Sequence, residues 1–148
     1  MYLFYCEQVG TLNYLAPVFE KLSKLRINYL IFSNRDFSRK KKINFNIENI
    51  KLKKTKKKLF HLLIKKKVKK VICSLTINSY IQKKIIDSCK NQKIPTIGIL
   101  DFWVNIRERF FFKNKQIILP DKILNIDHFT KKKLLQLGIS ENKIITVG

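Results

Sequence analysis

A chain of 148 residues with 45% hydrophobic and 11% aromatic side chains is the size of one domain and can fill an ordinary core, which excludes a disordered polypeptide. Its 32 Lys and Arg against 10 Asp and Glu leave a formal net charge of +22, a balance that attracts acidic membrane surfaces, RNA or nucleotide-bearing substrates. Nearly all of that charge is lysine, the arginines being Arg26, Arg35, Arg39, Arg107 and Arg109. Bidentate phosphate and base contacts favour arginine, so nucleic acid is not the expected partner.

No apolar run approaches the ~18 residues of a membrane span. The start, MYLFYCEQVG, lacks a basic leader and carries Glu7, so it does not read as a signal peptide. Cys6, Cys73 and Cys89 are scattered and odd in number, which fits reduced thiols in a cytoplasmic protein.

The first run, YLFYC (2–6), is apolar and aromatic, a buried-strand signal. A helix is expected after Gly10, with Leu15, Val18, Phe19, Leu22 and Leu25 on one face. Thr11 or Asn13 would cap it and Pro17 would sit in its first turn. INYLIFS (27–33) is again strand-like, giving an opening βαβ unit. INFNIENI (43–50) alternates as a strand with one wet face. KKLFHLLIKKK (57–67) reads as a helix presenting Leu59, Phe60, Leu63 and Ile64. KVICSLT (70–76) is a buried strand. Asn78 or Ser79 caps the next helix, whose Ile81, Ile85, Ile86 and Cys89 point inward.

TIGILD (96–101) is a further buried strand, and Phe102 to Leu119 a long connection. LPDKILNID (119–127) supplies a short strand and HFTKKKLLQLG (128–138) a helix closed by Gly138. A single turn over SENK then leads to the strand IITVG (144–148). Strands alternating with helices in this way predict one α/β domain over 1–148, an open, mostly parallel sheet with helices on both faces.

Ligands of such sheets bind beyond the carboxyl ends of the strands. Four segments leave those ends: Glu7–Thr11, Ser33–Asp36, Thr76–Ser79 and Asp101–Arg109. Gly10 permits a turn into a helix whose N-terminus accepts an anion, but a lone glycine is not a dinucleotide fingerprint, and a plain strand-to-helix turn explains it. Thr76 and Asn78 could touch a polyol, although helix capping is the simpler role. The segment GILDFWVNIRERFFF (98–112) is richer. Trp103 can stack on a pyranose, Asp101 and Asn105 can bond hydroxyls, and Arg107 and Arg109 can hold a phosphate. Alternatively Asp101 pairs with Arg107 or Arg109 to pin the loop while Trp103 and Phe110 cover the sheet edge. His61 and His128 lie at no metal-ligand spacing, and no metal is expected. No nucleophile-elbow pattern is present either, so the catalytic residues are not identified. The lysine-rich stretch 53–70 is an amphipathic helix packed on the sheet, with membrane-surface contact as the other use of such a pattern.

Three stretches carry a family likeness: VGTLNYLAPVFEKL after the first strand, ILDFWVNIRERF after a middle strand, and LPDKILNIDHFTKKKLLQLGISENKIITVG at the end. Together they resemble the N-terminal domain of GT-B-fold sugar-nucleotide enzymes, a group of glycosyltransferases and UDP-N-acetylglucosamine 2-epimerases. The likeness rests on Asp101, Trp103, Asn105, Arg109 and Phe110, then Pro120 and Asp121, then Leu137 to Gly148. It implies a Rossmann-like sheet forming the N-terminal half of a GT-B architecture, working in cytoplasmic surface-glycan synthesis, peripheral to the inner membrane face if membrane-associated. This half would hold the acceptor or substrate through Gly10, Thr11, Asn13, Thr76, Asn78, Asp101, Trp103, Asn105, Arg107 and Arg109. The resemblance implies no cofactor in this chain. The UDP-sugar or similar nucleotide-sugar is expected with a C-terminal domain, supplied as a separate subunit if not by the same chain, and this half alone is expected to be inactive. The competing reading is a stand-alone basic module for RNA or acidic membrane.

Overall fold

The computed structural model describes residues 1–33, 47–49, 56–111 and 116–148. Among them run β1 (Tyr2–Tyr5), α1 (Val9–Lys24), β2 (Tyr29–Ser33), β3 (Ile47–Asn49), α2 (Lys56–Lys65), β4 (Lys70–Ser74) and α3 (Tyr80–Asn91). The chain continues through β5 (Thr96–Leu100), α4 (Ile106–Phe110), β6 (Lys122–Asn125), α5 (His128–Gln136), a 3-10 turn (Glu141–Lys143) and β7 (Ile144–Thr146). The described strands form one seven-stranded sheet in the order β3-β2-β1-β4-β5-β6-β7. Every pairing in it is parallel. Strand order reverses between β1 and β4, the place where sheets of this kind open a crevice.

Both faces of the sheet are covered, and the pleat decides what goes where. Leu3 and Tyr5 of β1 join Val71, Cys73, Leu100 and Ile123 against Leu63 of α2, Ile85, Ile86 and Cys89 of α3, and Leu134 of α5. Phe4 and Cys6 point the other way, with Ile31, Ile72 and Ile99 against Leu12, Leu15 and Phe19 of α1. Strands buried on both faces read as continuous apolar runs, which is why YLFYC, KVICS and TIGIL stand out in the sequence. At the middle of β5, Gly98 lets two loops close in: a Cβ there would lie 2.8 Å from side-chain atoms of Leu75 and Pro120. The three cysteines are buried and free, and burial pushes the Cys6 and Cys89 thiols up to about 12. They are core side chains, protonated and unreactive at neutral pH.

Several expectations need correction. Helix α1 begins at Val9 with Gln8 as its N-cap and no side-chain cap bond, so neither Thr11 nor Asn13 caps it. Pro17 sits in the interior of α1 rather than in its first turn. It is solvent-exposed and, having no N–H, leaves the carbonyl of Asn13 without its helical donor. Val18, Leu25 and Ile64 are exposed rather than part of the inward faces. The connection after Phe102 contains helix α4. Of the strand expected over 43–50, β3 covers Ile47–Asn49, and the remainder lies outside the described residues, as does the loop 34–36 after β2. No described helix is long and apolar enough to cross a membrane.

Candidate functional site

The strand ends at the order reversal are lined by polar groups. After β1, Glu7 is buried and α1 opens with first-turn N–H groups that no side chain caps. Gly10 lies inside that first turn, exposed, with open space where a side chain would stand. Thr11 is buried beneath it and Asn13 is exposed one turn on. After β4, the Thr76 backbone N–H donates to Gln82 Oε1 at 2.7 Å. Ser79 is the cap of α3, accepting from the Gln82 N–H at 3.2 Å. Asn78 does not cap; it is exposed with a left-handed backbone (φ 56°), a conformation asparagine tolerates better than most residues. The Tyr5 phenol, between Glu7 and Ser79, is held far above its ordinary value by burial and by the Glu7 charge.

The Asp101–Arg109 segment splits into two halves with different roles. Arg109 is turned inward, 6% exposed. Its Nε donates to the Val104 carbonyl at 3.3 Å, its terminal nitrogen to the Leu75 carbonyl and to Asp101 Oδ1 at 3.5 Å. Of the two arginines open as partners for Asp101, the structure therefore selects Arg109. Gln82 Nε2 reaches the Arg109 carbonyl at 3.5 Å, and Lys83 Nζ donates to the Glu108 carbonyl at 3.0 Å. These bonds fasten the β5–α4 connection to β4 and α3. Removal from water lowers the Arg109 pKa, an effect the Asp101 charge opposes.

The other half faces outward. Asn105, at the start of α4, takes a left-handed backbone (φ 51°), and Trp103, Asn105 and Arg107 are exposed. They line a cleft of about 360 Å³ whose far wall is Lys133 and Gln136 of α5 and Leu137, its C-cap. Arg107 also lies over the Phe111 ring, 4.7 Å from its centroid. An aromatic ring, two amides and two cations line one cleft with the Glu108 carboxylate, a set that suits a hydroxylated ligand, the two cations outweighing the one acid for an anionic group. Sequence reasoning located one wall of the cleft but missed Lys133 and Gln136. Which helix packs beside a loop is a tertiary fact, and nothing in HFTKKKLLQLG signals it. No group of three or more metal-ligating side chains gathers among the described residues.

Lys83, 2% exposed, also went unnoticed in the sequence, because its charge argued for solvent. Desolvation lowers its pKa from the ordinary 10.5, with the Glu7 charge opposing. Between the lowered folded-state value and 10.5 the unfolded chain holds more protons, so this group makes stability rise with pH across that window. The stability of the wild type relative to Lys83→Met is expected to increase as pH rises from about 7 to about 10 in urea titrations. A difference that stays flat, or falls, would show that Lys83 is not desolvated.

The chain matches no known family model and no curated protein. Solved structures do share its fold. MnaA of S. aureus, in a structure with UDP, superimposes with a TM-score of 0.70 at 12% identity, over 99% of this chain and 43% of that one. UDP-GlcNAc 2-epimerase from Neisseria meningitidis bound to UDP-GlcNAc gives 0.67 at 15% identity, over 99% and 45%. Another UDP-N-acetylglucosamine 2-epimerase gives 0.68 at 13%, over 99% and 45%. The fold is thus the Rossmann-like α/β fold of a UDP-N-acetylglucosamine 2-epimerase half, and the chain spans less than half the length of these proteins.

Proposed function

We propose that this chain is the acceptor- or substrate-side half of a GT-B sugar-nucleotide enzyme, epimerase-like or glycosyltransferase-like, in surface-glycan synthesis, and that it needs a second, nucleotide-binding domain to act. The observation that carries this reading is the fit of the whole chain onto less than half of proteins solved with UDP or UDP-GlcNAc. The cleft between α4 and α5 supports it. Trp103 would border the sugar with its ring edge, Asn105 and Gln136 would take hydroxyls, and Arg107 and Lys133 would hold negative charge. The first turn of α1, from Gly10 to Thr11, together with Asn13, Thr76 and Asn78, would complete the opposite side of the crevice. Asp101 and Arg109 act here as positioning residues that set the loop.

The test is titration of UDP-N-acetylglucosamine into the chain alone and into the chain with a C-terminal Rossmann-like domain supplied in trans, followed by calorimetry. Weak or undetectable binding alone, tightening by at least about tenfold with the second domain, is expected. Equally tight binding by the isolated chain would defeat the reading.

A further inference from the structure

Arg107 and Lys133 stand on opposite walls of the α4–α5 cleft, and neither has an ion-pair partner among the described residues. Cations two positions away are paired: Arg109 with Asp101, and Lys131 with Glu141 at 2.7 Å. What holds the two unpaired cations is aromatic instead. The Arg107 guanidinium lies 4.7 Å from the Phe111 centroid. Lys133 Nζ lies 5.4 Å from the Trp103 centroid and 4.9 Å from that of Phe129. Phe102 stacks on Trp103 with 5.6 Å between centroids, and Phe129 meets Trp103 edge-on at 5.6 Å. A ring attracts a cation without neutralising it, so both heads are placed while their charge stays available to a ligand. With Phe102 and Lys133 packed on its ring, Trp103 serves the cleft as a seat for Lys133 and offers a ligand only its edge.

Size and charge together narrow the ligand. A volume of about 360 Å³ is at the small end of the ~300–1,000 Å³ that small-molecule sites occupy, room for a sugar ring and a charged group rather than a whole nucleotide-sugar. Glu108 also lines the cleft, so the two cations leave a single positive charge in excess. That balance suits one anionic group on an otherwise neutral molecule. A diphosphate would set its further charge against Glu108. The Glu108 carboxylate accepts from hydroxyls, and the Asn105 and Gln136 amides both donate and accept. Ile106 and Leu137 supply the apolar lining. A bare phosphate ion would leave most of these groups unused.

We infer that the α4–α5 cleft binds a monosaccharide carrying one anionic group, a phosphate or a carboxylate, held between Arg107 and Lys133 with its hydroxyls on Asn105, Gln136 and Glu108. The inference deepens the sugar-nucleotide reading and rests on it for one step, the assignment of this sugar as the acceptor. The binding itself stands on the cleft, whose groups all belong to this chain, and needs no second domain.

The test is calorimetric titration of the full chain with glucose 1-phosphate, glucuronate, glucose, inorganic phosphate and UDP. Glucose 1-phosphate or glucuronate is expected to bind at least about tenfold more tightly than the other three, and the tighter of the two shows which anionic group the cleft takes. Trp103 is the single tryptophan of the chain, and its emission should change as that ligand binds. Arg107→Gln and Lys133→Gln should each weaken binding by about tenfold or more, the usual effect of losing a bond to a charged group, with thermal unfolding unchanged. Lys24→Gln, in the exposed last turn of α1, removes the same charge elsewhere and should keep binding within about twofold. Absence of binding by both charged sugars, equal binding by inorganic phosphate or UDP, or an equal loss in Lys24→Gln would overturn the inference. If a charged sugar binds while a second domain fails to tighten UDP-N-acetylglucosamine, the cleft stands and the sugar-nucleotide reading falls; the converse result removes the cleft alone.

Discussion

Replacing Arg109 by alanine is expected to destabilise the domain by about 3–5 kcal/mol, the usual cost of removing one member of a buried charged pair. The side chain is 6% exposed, and three donations leave it, to Val104, Leu75 and Asp101. Without it, the Leu75 and Val104 carbonyls lose their donor in the interior, which costs more than the bonds themselves contribute. Asp101 is partly solvated, with its side chain 35% exposed, and water compensates there, which places the effect toward the lower end. Arg109→Lys should recover little, because an ammonium cannot span three acceptors set around a planar fork. Urea unfolding checks this, and a loss under about 1 kcal/mol would mean the guanidinium does not hold the loop. The same variant should alter Trp103 emission in the folded state, since the loop that carries Trp103 is the one Arg109 fastens.

Phe19→Ala is expected to cost a similar 3–5 kcal/mol, but through the opposite face of the sheet. Phe19 has no solvent exposure. It meets Phe4 edge-on at 5.0 Å and stacks on Tyr29 at 5.5 Å, so one ring ties α1 to both β1 and β2. Among the described helices α1 is the one that covers this face, which leaves little nearby structure to collapse into the cavity. Phe19→Leu keeps most of the volume and should cost about 1 kcal/mol. If calorimetry gave both variants the same small loss, α1 would not be packed on the sheet as described.

The alternation of strands and helices was legible because central parallel strands must be apolar on both faces, and YLFYC, YLIFS, KVICS and TIGIL punctuate the chain as such runs. The start of α1 was not legible. Helix starts are read from capping side chains, and Gln8 provides none. Helix α4 escaped because five residues, IRERF, are too few to display a helical period. In the candidate site, residue types announced chemistry at Asp101–Arg109, but two arginines two positions apart offered the same partner to Asp101. Only the loop's path, with Arg109 drawn beneath it and Arg107 left outside, decided between them. Lys83 and Lys133 were hidden among many lysines, and their surroundings rather than their identity set them apart.

The last strand of the sheet is three residues long, Ile144–Thr146, and lies at the edge of the strand order. An edge that short shows a neighbouring chain only a brief row of open backbone groups, too few to template strand addition. At high concentration the β7 side of this domain should therefore resist growing into extended sheets. Any lasting partner on that flank must be held by side chains, such as the exposed Ile145 and Val147, rather than by backbone pairing.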